Sequence, residues 1–118
     1  MGEVVKRILI VDDEAPMRHM LRMVLERDGY VVAEAVSGRQ GLDRLQTGHY
    51  DLVLCDIRMP EMDGLEAARR IQSDFPKDRQ PVIIAVTANA MEGDRQRCMD
   101  AGMEDYITKP IRLDAMQD

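Results

Sequence analysis

Residues 51–64 of the chain read DLVLCDIRMPEMDG, which predicts a buried strand that leads into an acidic loop. The stretch begins with a continuous apolar run, Leu52–Cys55, which is typical of a strand buried on both faces of a parallel sheet. The run leads directly into Asp56 and then into a loop that contains Pro60 and ends at Gly64. A carboxylate at the end of a buried strand is costly unless a partner or a ligand accompanies it. The sequence therefore predicts a binding site at Asp56.

Three further predicted strands also end at polar or charged residues. In an open parallel sheet the carboxyl ends of the strands lie at one edge, where α/β folds bind ligands. We therefore expect these end residues to lie close to Asp56. The strands and the residues that follow them are Arg7–Val11 with Asp12 and Asp13, Val82–Val86 with Thr87, and Asp105–Thr108 with Lys109.

Helical patterns alternate with the predicted strands. Apolar residues at helical spacing predict a helix over Glu14–Asp28, and Gly41 within the next helix costs about 1 kcal/mol relative to alanine, so that helix is expected to be soft. Five alternations of strand and helix predict an α/β fold with a doubly wound five-stranded parallel sheet and a short last helix. The remaining predicted elements are a strand over Tyr30–Val36 and helices over Gly38–Thr47, about Gly64–Ser73, from Thr87 or Asn89 to about Ala101, and from about Arg112 to Asp118.

Length and composition limit the class of protein. A chain of 118 residues is long enough for one domain, predicted over residues 1–118, with a core of its own. No apolar run approaches about 20 residues and no signal peptide opens the chain, so we expect a cytoplasmic domain without a membrane span. A formal net charge of −6 argues against a nucleic-acid surface on this domain.

The predicted site has the composition of a phosphoryl-transfer site. Three carboxylates close together repel, and a hard divalent cation is their simplest partner; Mg²⁺ fits best because it takes one or two carboxylates and also accepts phosphate oxygens. Lys109 adds a positive charge and Thr87 a hydroxyl donor, which suits a phosphoryl group in flight. Asp56 is then the natural nucleophile, because carboxylates form aspartyl-phosphate intermediates.

These residues carry a resemblance to a known family. The chain resembles the CheY-like receiver domains of two-component response regulators over essentially its whole length. The segment TANAMEGDRQRCMDAGMEDYITKPI is similar to the receivers of hybrid sensor histidine kinases. The short last helix departs from the family pattern, so the chain is expected to be a piece of a hybrid kinase or multidomain regulator. The matching motifs, in order, are ILIVDDE, LCDIRMPEMDG, IIAVTA and YITKP.

The resemblance implies both a fold and a reaction. The fold is flavodoxin-like, with strand order 2-1-3-4-5. A sensor histidine kinase or a histidine phosphotransfer protein would donate a phosphoryl group from phosphohistidine to Asp56. By the family pattern Asp13, Asp56 and the backbone carbonyl of Arg58 ligate Mg²⁺, and Asp12 acts mostly through water. The family pattern also implies that Lys109 contacts the phosphoryl oxygens and that the bond joining it to Pro110 is cis.

The resemblance also implies a switch. Phosphorylation would draw Thr87 towards Asp56, and Tyr106 would rotate into the vacated space. A downstream effector domain or protein would read the altered surface of the fourth helix, fifth strand and fifth helix. Arg58 and Asn89 flank the pocket mouth and are expected to tune attack by water on the acyl phosphate.

Other functions fit the sequence less well. Phosphatases resembling haloacid dehalogenases place a second acid two residues after the nucleophile, where this chain has Arg58. A flavodoxin-like cofactor binder needs a phosphate cradle and aromatic residues, and the chain has no Trp. A receiver that acts only as an interaction module would lack one of the site residues. Alone, the acids Asp12 and Asp13 also suit a helix N-terminus. We therefore predict a phosphorylation-operated switch that catalyses its own phosphorylation and hydrolysis, and not an enzyme acting on a metabolite.

Overall fold

The computed structural model describes residues 6–57, 64–87 and 94–108 of the 118. For Thr87, for residues 94–95 and for residues 105–108 it describes the backbone alone. The predicted last helix and the predictions for Arg58, Asn89, Lys109 and Pro110 lie outside the described residues.

Five strands form one parallel sheet: β1 Arg7–Val11, β2 Val31–Ala35, β3 Leu52–Asp56, β4 Val82–Thr87 and β5 Asp105–Thr108. Their order across the sheet is β2-β1-β3-β4-β5, which confirms the predicted order 2-1-3-4-5. β1 and β3 lie side by side, with Val11 beside Cys55. This register brings the carboxyl ends of the two strands together.

The described helices are α1 Ala15–Arg27, α2 Gly38–Thr47, α3 Gly64–Asp74 and α4 Asp94–Asp100, and a short 3₁₀ turn spans Lys77–Arg79. Local sequence explains several of their ends. Ser37 caps α2, because its side-chain oxygen accepts a hydrogen bond of 3.1 Å from the backbone N–H of Gln40. α1 ends before Gly29, whose φ of +97° suits glycine. Within the described ranges, no helix is long and apolar enough to cross a membrane.

Of the two predicted starts of the fourth helix, Thr87 was wrong, and Asn89 lies outside the described residues. Thr87 is the last residue of β4, so the fourth helix does not begin there. The described part of that helix begins at Asp94 and ends at Asp100. The run of β-favouring residues Val82–Val86 extends through the β-branched Thr87, which favours a strand over a helix start.

Alternate residues of β1 face the two layers of helices, as expected for a strand buried on both sides. Ile8 and Ile10 pack in a core cluster with Leu21 and Leu25 of α1. Leu9 and Val11 pack in the other cluster, which includes buried residues of α2, α3 and α4. The sheet therefore has helices on both faces, which confirms the doubly wound prediction.

Gly41 has a packing reason to be in α2. A Cβ atom built on Gly41 would lie 2.9 Å from Cγ2 of Val11, closer than carbon atoms normally approach. Val11 is 3% exposed, and its β-branched side chain has little rotational freedom to move aside. The glycine lowers the helix propensity of α2 and in return allows the helix to approach β1.

We predict that Gly41→Ala destabilises the protein by about 1 kcal/mol net. Overpacking costs about 1–3 kcal/mol, which exceeds the gain of about 1 kcal/mol in helix propensity. Urea unfolding of Gly41→Ala, Val11→Ala and the double variant measures the coupling between the two sites. In the Val11→Ala background the Gly41 substitution should no longer destabilise. A stabilising Gly41→Ala in the wild-type background would contradict the packing argument.

Candidate functional site

Two buried carboxylates lie side by side at the carboxyl edge of the sheet. Asp12 directly follows β1, and Asp56 is the last residue of β3. Their exposed fractions are 1% and 4%, and no other charged side chain is buried among the residues whose burial is described. The structure thus confirms that the acids predicted after the first and central strands are neighbours.

A cluster of four acids surrounds this edge. Carboxylate oxygens of Asp12, Asp13, Glu14 and Asp56 all lie within 4.8 Å of one another. Two full charges at that separation repel by about 3 kcal/mol at an effective dielectric constant of about 20. Glu14 was not predicted to belong to the site, although the third acid of the ILIVDDE motif was a visible signal.

Hydrogen bonds of Asp12 hold the loop between β1 and α1. The backbone N–H of Asp12 donates to the carbonyl of Ala35 in β2 at 3.1 Å. Its Oδ1 accepts a hydrogen bond of 2.9 Å from the backbone N–H of Glu14, the residue that precedes α1. The acids therefore lie at the amino end of a helix, where the helix dipole favours negative charge.

Gly64 brings α3 against the backbone of Asp56. A Cβ atom on Gly64 would lie 2.5 Å from the carbonyl oxygen of Asp56 and 2.8 Å from Cα of Ile57. These are backbone atoms, which cannot move aside without displacing Asp56. A residue with a side chain at Gly64 would therefore clash with the backbone of the site, which requires glycine at the end of the stretch DLVLCDIRMPEMDG.

Sequence reasoning missed an arginine cluster beside the acids. Arg18 donates from Nη1 to the carbonyl oxygen of Asp12 at 2.7 Å and from Nε to Oε1 of Glu34 at 3.0 Å. Arg22 donates from Nη1 to Oε2 of Glu34 at 2.6 Å. Two signals were available: a charged residue within the apolar strand β2, and two arginines four residues apart on α1.

The remaining predicted site residues are described in part or not at all. The backbone of Thr87 ends β4 and pairs with Thr108, and that of Tyr106 pairs with Ala85. β4 is also the neighbour of β3, with Val86 beside Asp56. Thr87 thus lies at the same edge as the acids, one residue beyond the pair of Asp56.

The donor set of the cluster suits a hard cation. All four side chains offer carboxylate oxygens, and the cluster contains neither histidine nor cysteine. Oxygen ligands of this kind are preferred by Mg²⁺ and Ca²⁺, whereas soft or borderline metals favour sulfur and imidazole. The residues present therefore fit the magnesium ion that the sequence predicted.

A doubly wound parallel sheet with acids gathered at its carboxyl edge defines a recognisable class of α/β domain. The family model described as the response regulator receiver domain matches residues 8–118. The chain therefore belongs to the response regulator receiver domain family. Proteins of this family are signalling phosphoacceptors of two-component systems and interact with histidine kinases and effectors.

Several curated proteins are similar to this chain. The transcriptional regulatory protein ResD of Bacillus subtilis is 42% identical over 105 residues, which cover 89% of this chain and 42% of ResD. The aerobic respiration control sensor protein ArcB of Escherichia coli is 37% identical over 109 residues, or 92% of this chain and 14% of ArcB. The polar-differentiation response regulator DivK of Brucella ovis is 40% identical over 108 residues, covering 92% of this chain and 87% of DivK. The chain thus spans less than half of ResD and of ArcB.

Solved structures agree with the fold. The receiver domain of sensor histidine kinase PA1611 from Pseudomonas aeruginosa, which has a magnesium ion coordinated in its active site cleft, matches with a TM-score of 0.84 and 36% identity. The match covers 97% of this chain and 93% of that one. A CheY-like receiver domain protein from Methanospirillum hungatei matches with a TM-score of 0.86 and 31% identity, covering 97% and 89% of the two chains.

The arginine cluster makes part of the stability sensitive to acid. Hydrogen bonds from Arg22 and then from Arg18 hold the pKa of the Glu34 carboxyl below its ordinary value of 4.5, against the opposing effect of partial burial. A depressed folded-state pKa stabilises the protein above the unfolded value, and this stability is lost as the pH falls through the folded value. The arginine cluster should therefore contribute its full stabilisation of the folded protein above pH 4.5 and progressively less below that pH.

We predict that Glu34→Gln lowers the melting temperature by about 4 °C near pH 7 and that the difference shrinks below about pH 4.5. Thermal unfolding followed by circular dichroism across this pH range measures it. Glu66→Gln is the matched control, because Glu66 pairs with Arg70 on the exposed face of α3 and its loss should matter little. A difference that stays constant or widens in acid would contradict the assigned pKa shift.

Proposed function

We propose that this chain is the phosphoacceptor of a two-component or phosphorelay system and that Asp56 accepts the phosphoryl group. The observation that carries the proposal is the buried carboxylate of Asp56 at the end of β3, within 4.8 Å of Asp12 and Asp13. A carboxylate in this position has few functions other than to bind a cation or to act as a nucleophile. The match of the receiver family model to residues 8–118 supports this assignment. We assign residues 1–118 to one receiver domain.

We assign magnesium to the acid cluster. Asp13, Asp56 and the backbone carbonyl of Arg58 would hold the ion, and Asp12 would act through water. When bound, Mg²⁺ neutralises the carboxylates and polarises the oxygens of the incoming phosphoryl group. The all-oxygen donor set of the cluster supports this choice of metal.

Transfer of the phosphoryl group from phosphohistidine to Asp56 needs no further reactant. A carboxylate oxygen of Asp56 attacks the phosphorus of a phosphohistidine, the new P–O bond forms as the P–N bond breaks, and the imidazole of the donor leaves with the bonding electrons. We assign Lys109 to neutralise the charge on the phosphoryl oxygens, and we assign Thr87 to donate a hydrogen bond to them. The position of Thr87 at the end of β4, beside β3, supports its part in this step.

We assign recognition by partners to the edge of the sheet at β5. Thr87 would move towards the phosphoryl group and Tyr106 would follow it, which alters the surface formed by α4, β5 and the last helix. The backbone of Tyr106 pairs with Ala85, two residues before Thr87, and this adjacency in the sheet supports the coupling. Arg58 and Asn89 are assigned to control of hydrolysis of the acyl phosphate by water.

The partners and location follow from the family. We assign a sensor histidine kinase or a histidine phosphotransfer protein as donor, an effector domain or protein as receiver of the signal, and the cytoplasm as location. Neither a membrane nor a nucleic acid is proposed to contact this domain, whose net charge of −6 repels phosphate backbones.

Intact-mass spectrometry after incubation with acetyl phosphate tests the proposed function. We predict one phosphoryl adduct on the wild-type protein in the presence of Mg²⁺, its loss in EDTA, and its loss in Asp56→Asn. Asp51→Asn is the matched control, because the same substitution at the opposite end of β3 removes a carboxylate that accepts a hydrogen bond from the Arg7 backbone, far from the proposed site.

The proposal fails if the adduct forms on Asp56→Asn or forms equally in EDTA. It also fails if the wild-type protein accepts no phosphoryl group from acetyl phosphate, phosphoramidate or a phosphorylated histidine phosphotransfer domain.

A further inference from the structure

The Arg18 side chain connects α1 to the backbone of the loop between β1 and α1. Its guanidinium group bridges two acceptors, the carbonyl oxygen of Asp12 at 2.7 Å and the carboxylate of Glu34 at 3.0 Å. The planar fork of arginine holds both acceptors at once in a fixed geometry, which lysine cannot reproduce. Arg18 thus connects a strand that lies beside the site to a loop that forms it.

This ion pair differs from the surface ion pairs of the molecule. The side chains of Arg18 and Glu34 are 13% and 19% exposed, whereas those of Arg70 and Glu66 are 50% and 47% exposed. Exposed pairs contribute little to stability and constrain geometry little. The partial burial of Arg18 reduces screening by water and limits its alternative conformations.

The carbonyl of Asp12 controls where the chain goes next. The peptide bond is planar, so the carbonyl of Asp12 and the N–H of Asp13 are fixed in one plane. The N–H of Asp12 is already bound to Ala35 in β2, and its Oδ1 is bound to the N–H of Glu14. The hydrogen bond from Arg18 fixes the remaining polar atom of the Asp12 backbone, and with it the direction in which the chain enters Asp13.

We propose that Arg18 is a positioning residue for the magnesium site, held in orientation by Glu34. This inference rests on the proposed function, because it assigns Arg18 a role in placing Asp12 and Asp13 as metal-binding residues. Arg18 is not assigned a contact with the phosphoryl group or with the metal, since its side chain binds Glu34 and the Asp12 carbonyl. It acts by keeping the backbone of the two acids in the arrangement that receives the ion.

Charge and positioning predict opposite effects when Arg18 is removed. Loss of a positive charge beside an acidic site would by itself strengthen the binding of Mg²⁺. Loss of a positioning contact weakens metal binding, because bringing the ligands together around the ion then costs free energy. The sign of the change in affinity therefore separates the two explanations.

Isothermal titration calorimetry of Mg²⁺ binding tests the inference. We expect Arg18→Met to raise the dissociation constant about 3- to 10-fold, and Arg18→Lys to lie between that variant and the wild type. Arg22→Met is the matched control, because Arg22 shares Glu34 but has no hydrogen bond to Asp12 in the structure; its dissociation constant should stay within about 2-fold of wild type. The rate of phosphorylation by acetyl phosphate should recover in Arg18→Met at saturating Mg²⁺, which a general loss of structure would not allow.

The outcomes are distinguishable. If wild-type protein binds Mg²⁺ but Arg18→Met binds it equally or more tightly, the inference is overturned and the proposed function stands. An equal loss in Arg22→Met also overturns it, because the effect would then be general. If the wild type binds no Mg²⁺, both are overturned. Should Arg18→Met fail to fold, Arg18→Lys decides the matter, and wild-type affinity in that variant overturns the inference.

Discussion

The structure depends on one constraint, the gathering of like charges at the carboxyl edge of the sheet. Asp12 and Asp56 are buried there beside Asp13 and Glu14, within a radius at which carboxylates repel strongly. A fold alone gains nothing from this arrangement, because apolar side chains would fill the space at lower cost. The proposed function, which requires a cation and a nucleophile at the same point, would account for this cost.

The surrounding structure is built to maintain that arrangement. The register of β1 against β3 sets the two buried acids side by side, and Gly64 allows α3 to begin against the backbone of Asp56. The loop after β1 is fixed through its own backbone, with hydrogen bonds to β2 and to Arg18. Because both hydrogen bonds end on backbone atoms of Asp12, they fix the path of the loop and not only the side chains of its acids.

Much of this could be predicted from local patterns. Apolar runs located the strands, and the polar residues that follow them located the edge at which Asp12, Asp13 and Asp56 meet. Arg18 could not be found in that way, because its contact with Glu34 joins residues 16 positions apart on different elements. The place of Glu14 in the acid cluster was not predicted, because an acid before a helix also suits the helix dipole. Of the two predicted starts of the fourth helix, Thr87 was wrong because a β-branched residue after a strand extends that strand.

Thermal unfolding of Asp12→Asn with and without Mg²⁺ tests the central claim, that buried acids are held together against their repulsion for the sake of a cation. Asn retains an oxygen for the N–H of Glu14 but removes the charge. In EDTA the variant should melt above the wild type by about 5 °C, and Mg²⁺ should stabilise the wild type more than the variant. Asp78→Asn, in the exposed 3₁₀ turn, is the matched control. A variant that melts below the wild type in EDTA, with no effect of Mg²⁺ on either protein, would contradict the account.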